Sequence, residues 1–381
     1  MQIIATVLAT AAALASLTSA APVVASAPRS YNIPTDDGFP SPSAQQLRTI
    51  ADLADGTLSN APAPAKLAPS SLTAFQLIAF NELFEVAFFS SLVHNITTNV
   101  PGFQLPSDAK RDELLDILET VLAQEKLHAL NAINVLKKFN AFAPTPCQYR
   151  FPSSTVYEAI ALAEKFTALV LGTLQDASQL FAKNGDFGPV RSVASSIGQE
   201  GEQEGFYRIL LAKKPSEKPF LTTSVAAFAY SALQGFVVPG SCAFSLSSID
   251  LPVFPALSVV SGSAGAAVEP RDQLLSFTAD LTGVEAAKKF VGLTNGQGLW
   301  VTYFSGQLLP ISVPVVNVRW AGAVVSFDAA FPFAANVMQG LSVAALTTAG
   351  SFAAPGDVVG ATLAAPGLIQ VDDRTKAWDA I

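Results

Sequence analysis

The segments Gln124-Glu-Lys-Leu-His128 and Gln199-Glu-Gly-Glu-Gln203 decide the fold, because they place the same polar pattern in two stretches of helical periodicity. In each segment, the first Glu and the residue three positions later fall within the apolar stripe, one turn apart on one helix face. Burying a charged Glu and a His without partners costs several kcal/mol. The pattern therefore predicts a compensating group, such as a metal ion, between helices.

Two further predicted helices each contribute a single inward carboxylate. Glu82 lies on the apolar face of the first helix, and Glu164 occupies the matching position of the third. Each of these residues is followed, one helix later, by a Glu-x-x-His-like turn. Glu82 precedes Glu125 by 43 residues, and Glu164 precedes Glu200 by 36 residues. Inward carboxylates on four helices follow the ligand plan of ferritin-like bundles that hold two divalent cations.

The sequence departs from this plan at Gln203, where a second His would stand. A neutral amide oxygen is a poorer ligand for iron than an imidazole nitrogen is. A second ion would then be weak, absent or held instead by Glu204, Glu202 or Glu85. Glu85 lies one turn from Glu82 on the same face and would supply an extra oxygen.

The cofactor expected from these residues is iron or manganese, as one or two ions. With two Cys and two His in the chain, a metal site has to rely on carboxylates. The alternative is that Glu125 and His128 form a structural hydrogen-bonded pair in a bundle whose metal site has decayed.

The chain of 381 residues is predicted to be an α+β protein with four parts. Residues 1–20 are predicted to be a secretory signal peptide, with an uncleaved membrane anchor as the alternative. Residues 21–69 form a Pro/Ser/Ala-rich leader that we expect to have little fixed structure. Residues 70–240 are predicted to form the helical bundle, and residues 241–381 a β-rich, sandwich-like domain. The predicted helices span about residues 72–95, 108–139, 154–183, 189–213 and, as a short fifth helix, 222–234.

The β-rich part carries very few charges. Between residues 290 and 371 the charged side chains are Arg319, Asp328 and Asp357. A segment this apolar is expected to pack against the bundle or against a second subunit.

Composition limits the partners. The formal net charge is −8, so there is no basic surplus with which to neutralise phosphates, and nucleic acid is excluded as an expected partner. We expect no membrane association after signal cleavage. The expected partners are a second copy of the chain or the cell wall.

The predicted secretion affects how the two cysteines and one glycosylation sequon are interpreted. Cys147 and Cys242 are the only two cysteines, and an oxidising compartment favours a disulfide between them over two buried free thiols. Asn95-Ile-Thr97 is a glycosylation sequon near the end of a predicted helix.

Three stretches carry a resemblance to a known family. They are the segment from Phe75 to Phe89, the Gln124–His128 turn and the segment from Gln199 to Arg208. Together they resemble the secreted ferritin-like-domain family, which includes fungal late sexual development and stress-response proteins and, more distantly, plant desiccation-related proteins. The resemblance implies a four-helix ferritin-like bundle. It also implies candidate metal ligands at Glu82, Glu125, His128, Glu164 and Glu200.

Two functions from different classes follow. The first is a secreted protein of developmental or stress role, non-catalytic or with a degenerate carboxylate metal site. The alternative is an iron or manganese carboxylate oxidoreductase, of the ferroxidase or peroxide-disposal type, or a metal-sequestering protein. The sequence leaves open whether the protein is an enzyme.

Overall fold

The computed structural model describes residues 30–62, 64–260 and 268–371, and the predicted signal peptide lies outside them. The fold is α+β, as predicted: a helical region comes first and an antiparallel sheet follows. The helices are α1 (Ala44–Leu53), α2 (Pro69–Thr97), α3 (Asp108–Lys138), α4 (Val156–Lys183), α5 (Phe187–Leu210), α6 (Ala226–Gln234) and the short α7 (Phe333–Asn336). The strands are β1 (Ser258–Val259), β2 (Gln273–Asp280), β3 (Trp300–Ser305), β4 (Ile311–Ala321), β5 (Val324–Phe331), β6 (Leu341–Thr347) and β7 (Thr362–Gln370).

The helix boundaries follow local capping chemistry in two cases. The side chain of Ser107 accepts a hydrogen bond from the amide of Lys110 and caps α3. Thr155 caps α4 in the same way. Helix α2 starts after Ala68 and has no side-chain cap. The helix begins at Pro69, and the hydroxyl of Ser71 instead donates to Asp186 Oδ2 at 2.6 Å.

Helix α2 is the centre of the helical region. It packs along α3 and also contacts α4, while α4 packs along α5. The rings of Phe84 and Phe88 both contact that of Phe166 on α4, with centroid distances of 5.1 and 4.9 Å. Because α2 is covered on nearly all sides, it is apolar around its whole circumference rather than on one stripe.

Helix α2 is also the one helix, within the described ranges, that is long and apolar enough to cross a membrane by length and composition. Most of its apolar stretch is buried against other parts of the chain. A core helix of a globular protein meets the same criteria, so this finding is weak evidence for a span.

The leader is more ordered than the sequence analysis expected. Its residues 44–53 form α1, which begins with a capping box between Ser43 and Gln46. Phe39 is buried in the helical core, and Ile50 packs against α3. Asp37 forms an ion pair of 2.6 Å with Lys126 of α3. The prediction of little fixed structure was wrong for this segment because tertiary packing, which composition does not reveal, orders it.

The sheet has seven strands in the order β1-β2-β5-β4-β3-β6-β7, all antiparallel. The long strand β4 connects two halves of the sheet, since Ile311–Pro314 pairs with β3 and Val315–Ala321 pairs with β5. The edge strands β1 and β7 also contact each other, so the two halves enclose one apolar core.

The apolar C-terminal segment packs against the helices, which was one of the two expected arrangements. Strand β6 is buried on both faces because its alternate residues serve different cores. Ala344 and Leu346 face the core of the sheet, whereas Val343 and Ala345 join α4 and α6 in a separate cluster. In that cluster the ring of Phe228 on α6 stacks on that of Phe304 on β3, with centroids 5.6 Å apart.

The predicted disulfide between Cys147 and Cys242 is present and joins positions 95 residues apart. It connects the segment before α4 to the segment after α6. Asn95 lies half-buried in the last turn of α2, and Thr97 of the same sequon is exposed. Glycosylation at Asn95 stays a prediction.

The order of the leader can be tested by a pair of substitutions. The Phe39 side chain is 1% exposed and that of Leu53, in the same leader, is 52% exposed. We expect Phe39→Ala to lower the free energy of unfolding by about 3–5 kcal/mol, because it leaves a cavity in the helical core. Leu53→Ala should change it by less than about 0.5 kcal/mol. Denaturant unfolding measures both values, and equal small effects would mean that the leader does not pack in solution.

Candidate metal centre

Three long helices bring four predicted ligands together. Glu82 projects from α2, Glu125 and His128 from α3, and Glu200 from α5. One ligand atom from each residue lies within 4.8 Å of the others. The Glu-x-x-His spacing places Glu125 and His128 one turn apart on the same face of α3, so both reach this cluster. We call these four residues the metal cluster.

His128 lies at the centre of the contacts between these residues. Its Nδ1 atom is 3.0 Å from Glu125 Oε2 and 3.8 Å from carboxylate oxygens of both Glu82 and Glu200. Burial alone would lower the pKa of His128, but the neighbouring Glu125 carboxylate outweighs this effect and raises the pKa to about 9.

The carboxylates are poorly compensated. Within the described residues, Glu82 Oε2 and both carboxylate oxygens of Glu200 are buried and have no hydrogen-bond partner. Burial and the charges of Glu85, Glu200 and Glu125 raise the pKa of Glu82 well above its usual range. Burial and the charge of Glu125 raise the pKa of Glu200 to about 8. The site therefore resists holding all of its negative charge without a cation.

Glu85 adds a fourth buried carboxylate beside the cluster. Burial raises its pKa well above the usual range, and the charges of Glu125 and Glu200 add to the shift. Its Oε1 atom also has no hydrogen-bond partner in the described parts of the chain. Glu85 thus adds negative charge beside the cluster, although it is not one of the four converging ligands.

Gln203 occupies the position on α5 that His128 occupies on α3, but its side-chain amide donates hydrogen bonds to neighbouring side chains. Its Nε2 atom donates hydrogen bonds to Glu125 Oε1 at 2.8 Å and to Gln124 Oε1 at 3.2 Å. The hydroxyl of Tyr207 donates to Gln203 Oε1 at 3.4 Å. Gln203 therefore orients a carboxylate through its amide N–H groups, and its own oxygen is engaged by a tyrosine.

The structure does not bring Glu164 into the metal cluster. Glu164 Oε2 is 2.6 Å from Lys213 Nζ, and Glu164 Oε1 is 2.7 Å from Arg208 Nη1. Burial raises the pKa of Glu164, and the charges of Lys213 and Arg208 oppose that shift. The inward position of this residue was predicted correctly, but two side-chain cations are its partners.

Glu204 lies near Glu164 and Arg208, in a second group of buried charged residues. Burial and the charge of Glu217 raise its pKa to about 8, and Arg208 opposes the shift. Glu217 in turn lies 3.3 Å from Lys218 Nζ. Glu202, the remaining alternative ligand, is exposed. We call Glu164, Glu204, Glu217, Arg208, Lys213 and Lys218 the balanced cluster, because its three carboxylates face three cationic side chains.

The two buried clusters differ in charge. In the balanced cluster, Glu164 is paired with Lys213 and Arg208, and Glu217 is paired with Lys218. Glu204 has no ion pair among the described residues, but the charge of Arg208 acts on it. In the metal cluster, Glu82, Glu125 and Glu200, together with neighbouring Glu85, face His128 as the one cationic side chain within ion-pair distance among the described residues. Buried charges are usually paired or coordinate metals. The metal cluster thus has the chemistry of a cation site.

Sequence reasoning missed Arg208 and Lys213 as partners of Glu164. A local signal exists for Arg208, since Glu200, Glu204 and Arg208 are spaced by four residues and share a helix face. No local signal connects Lys213 to Glu164, because the two residues are 49 positions apart and meet only through the tertiary fold.

Comparisons with known proteins do not identify the family. The sequence matches no model of a known protein family, and a search of curated proteins finds no match either. The arguments about function therefore rest on the geometry of this chain.

The contrast between the clusters predicts opposite effects of two isosteric substitutions in protein kept free of metal. Glu200→Gln removes one of several repelling charges, so the free energy of unfolding should stay the same or rise. Glu164→Gln deprives Lys213 of its carboxylate in a buried site and should cost about 3–5 kcal/mol. Denaturant unfolding in the presence of a chelator measures both, and a comparable loss for Glu200→Gln would contradict the assignment of the two clusters.

Proposed function

We propose that the protein binds one divalent transition-metal ion, iron or manganese, through Glu82, Glu125, His128 and Glu200. The observation that carries this proposal is the convergence of four ligand atoms within 4.8 Å in a buried site that lacks enough positive charge of its own. Metal–oxygen and metal–nitrogen bonds of about 2.0–2.6 Å span separations of this size with modest closure of the side chains.

The donor set favours iron or manganese. Carboxylate oxygens suit manganese and magnesium, while an imidazole suits iron and zinc. Three carboxylates with one imidazole combine both preferences. The cysteines do not compete as soft ligands, because both are held in the disulfide.

A single ion fits the contacts better than a pair of ions does. In the ferritin-like ligand plan, a second ion would be held by Glu164 and by a ligand at position 203. Glu164 instead pairs with Lys213 and Arg208, and Gln203 presents its N–H groups to Glu125. Glu85 is then available to balance the charge of the one bound ion.

The residues of the site also define its surroundings. Tyr207, which hydrogen-bonds to Gln203, stacks on Phe89 of α2 with ring centroids 5.9 Å apart, and both rings are buried. Their burial excludes water from the carboxylates and strengthens electrostatic attraction to a cation. An iron ion held here would supply one-electron redox chemistry, whereas binding alone suits a metal-holding role.

The proposal also includes a family, a compartment and a biological role. The order of the four long helices and the inward Glu-x-x-His turn support a ferritin-like bundle of the secreted ferritin-like-domain family. The intramolecular disulfide is compatible with an extracellular protein. A sandwich-like sheet domain, a developmental or stress role, and association with a second copy or the cell wall stay predictions.

Metal analysis of the purified protein tests the proposal. We expect about one equivalent of iron or manganese by elemental analysis. Saturating Mn²⁺ at about 100 times Kd should raise the free energy of unfolding by about 2.7 kcal/mol. Glu125→Ala should weaken Mn²⁺ binding by at least about 100-fold, because it removes a direct ligand.

Glu119→Ala is the matched control, since Glu119 is an exposed carboxylate on the same helix. It should bind Mn²⁺ as the unsubstituted protein does. A protein that takes up neither metal, and whose unfolding is the same in chelator and in Mn²⁺, would overturn the proposal. Two equivalents with similar affinity would overturn the single-ion assignment.

A further inference from the structure

One side of the metal cluster is not sealed by apolar side chains. The carboxylates of Glu82, Glu125 and Glu200 are at most 2% exposed, whereas the His128 side chain is 20% exposed. His128 on α3 lies 3.8 Å from Glu82 on α2 and 3.8 Å from Glu200 on α5, so this partly exposed residue borders both neighbouring helices.

The interface between α2 and α4 is filled by aromatic rings. Phe84, Phe88 and Phe89 are all buried, and each of their rings contacts that of Phe166 on α4. A hydrated cation would lose its water shell without compensation on this path. Entry through the aromatic side is therefore disfavoured.

The side between α3 and α5 is lined by amides. Gln199 Nε2 donates to Gln124 Oε1 at 2.9 Å, and Gln203 Nε2 donates to the same oxygen and to Glu125. Gln124 and Gln199 are half-buried, while Gln203 is buried. A row of polar groups thus runs from the surface to a ligand of the cluster, and amide oxygens on such a path replace water around a cation.

Gln199 is the least restrained member of this row. Its Oε1 atom is buried and has no hydrogen-bond partner in the described structure. Its neighbours in α5 include Gly198 and Gly201, and both glycines have open space where a side chain would be. Glycine within a helix also weakens it locally. Gln199 can therefore move aside by giving up one neutral hydrogen bond.

We infer that the cation enters and leaves the metal cluster between α3 and α5, and that the Gln199–Gln124 hydrogen bond sets the rate of this exchange. The inference rests on the proposed function, since it concerns access to the same site. A gate of this kind lowers the rates of entry and of exit by the same factor. It therefore leaves the equilibrium affinity unchanged, which separates it from a ligand or a residue that orients one.

The test compares Mn²⁺ exchange in Gln199→Ala with that in the unsubstituted protein. Stopped-flow mixing with excess chelator gives the dissociation rate constant, mixing with Mn²⁺ gives the association rate constant, and titration gives Kd. Both rate constants should rise by about fivefold, the factor that corresponds to loss of one neutral hydrogen bond, while Kd stays the same. Gln179→Ala is the control, because Gln179 is an exposed glutamine on α4 whose side chain accepts a hydrogen bond from Lys183.

Three results would overturn the inference. Unchanged rate constants in Gln199→Ala would show that exchange follows another path. A faster dissociation with an unchanged association rate, and hence a weaker Kd, would make Gln199 a residue that positions the ligands. Failure of the unsubstituted protein to bind Mn²⁺ would reject the proposed function itself. This result differs from the other two, because both of those require that the unsubstituted protein binds Mn²⁺.

Discussion

The structure depends on an unbalanced group of buried charges. Glu82, Glu125, Glu200 and Glu85 lie together in the middle of the helical region, with His128 as the one facing cation among the described residues. A core of this kind costs free energy unless protons or a cation neutralise it. Burial raises that cost, because it removes the water that would otherwise screen the charges.

The balanced cluster shows that this chain can neutralise buried carboxylates by itself. Glu164 is paired with Lys213 and Arg208, and Glu217 continues the network to the sheet, where its Oε1 accepts from the amide of Leu341 at 2.9 Å. The ion pairs thus connect the helical region to strand β6. Among the described residues, the metal cluster has His128 as its one cationic partner, which is why we favour a bound metal ion over a purely structural role.

The sequence predicted what depends on local periodicity. Four long helices, the inward positions of Glu82 and Glu164 and the shared face of Glu125 and His128 all follow from the helical repeat. The partners of Glu164 could not be predicted, because Lys213 reaches it only through the tertiary fold. Helix α1 in the leader was not predicted, although the capping box of Ser43 and Gln46 is visible in the sequence. The Pro/Ser/Ala-rich composition around it is typical of unstructured linkers. Strands β6 and β7 could not be recognised by alternation, because nearly all of their residues are buried, on both faces.

The most direct measurement is anomalous X-ray diffraction from crystals of the protein grown with Mn²⁺. The account predicts one manganese peak at bonding distance from carboxylate oxygens of Glu82, Glu125 and Glu200 and from the imidazole of His128. The absence of a peak there at saturating Mn²⁺, or a peak bound by Glu164 in place of its lysine and arginine partners, would contradict it.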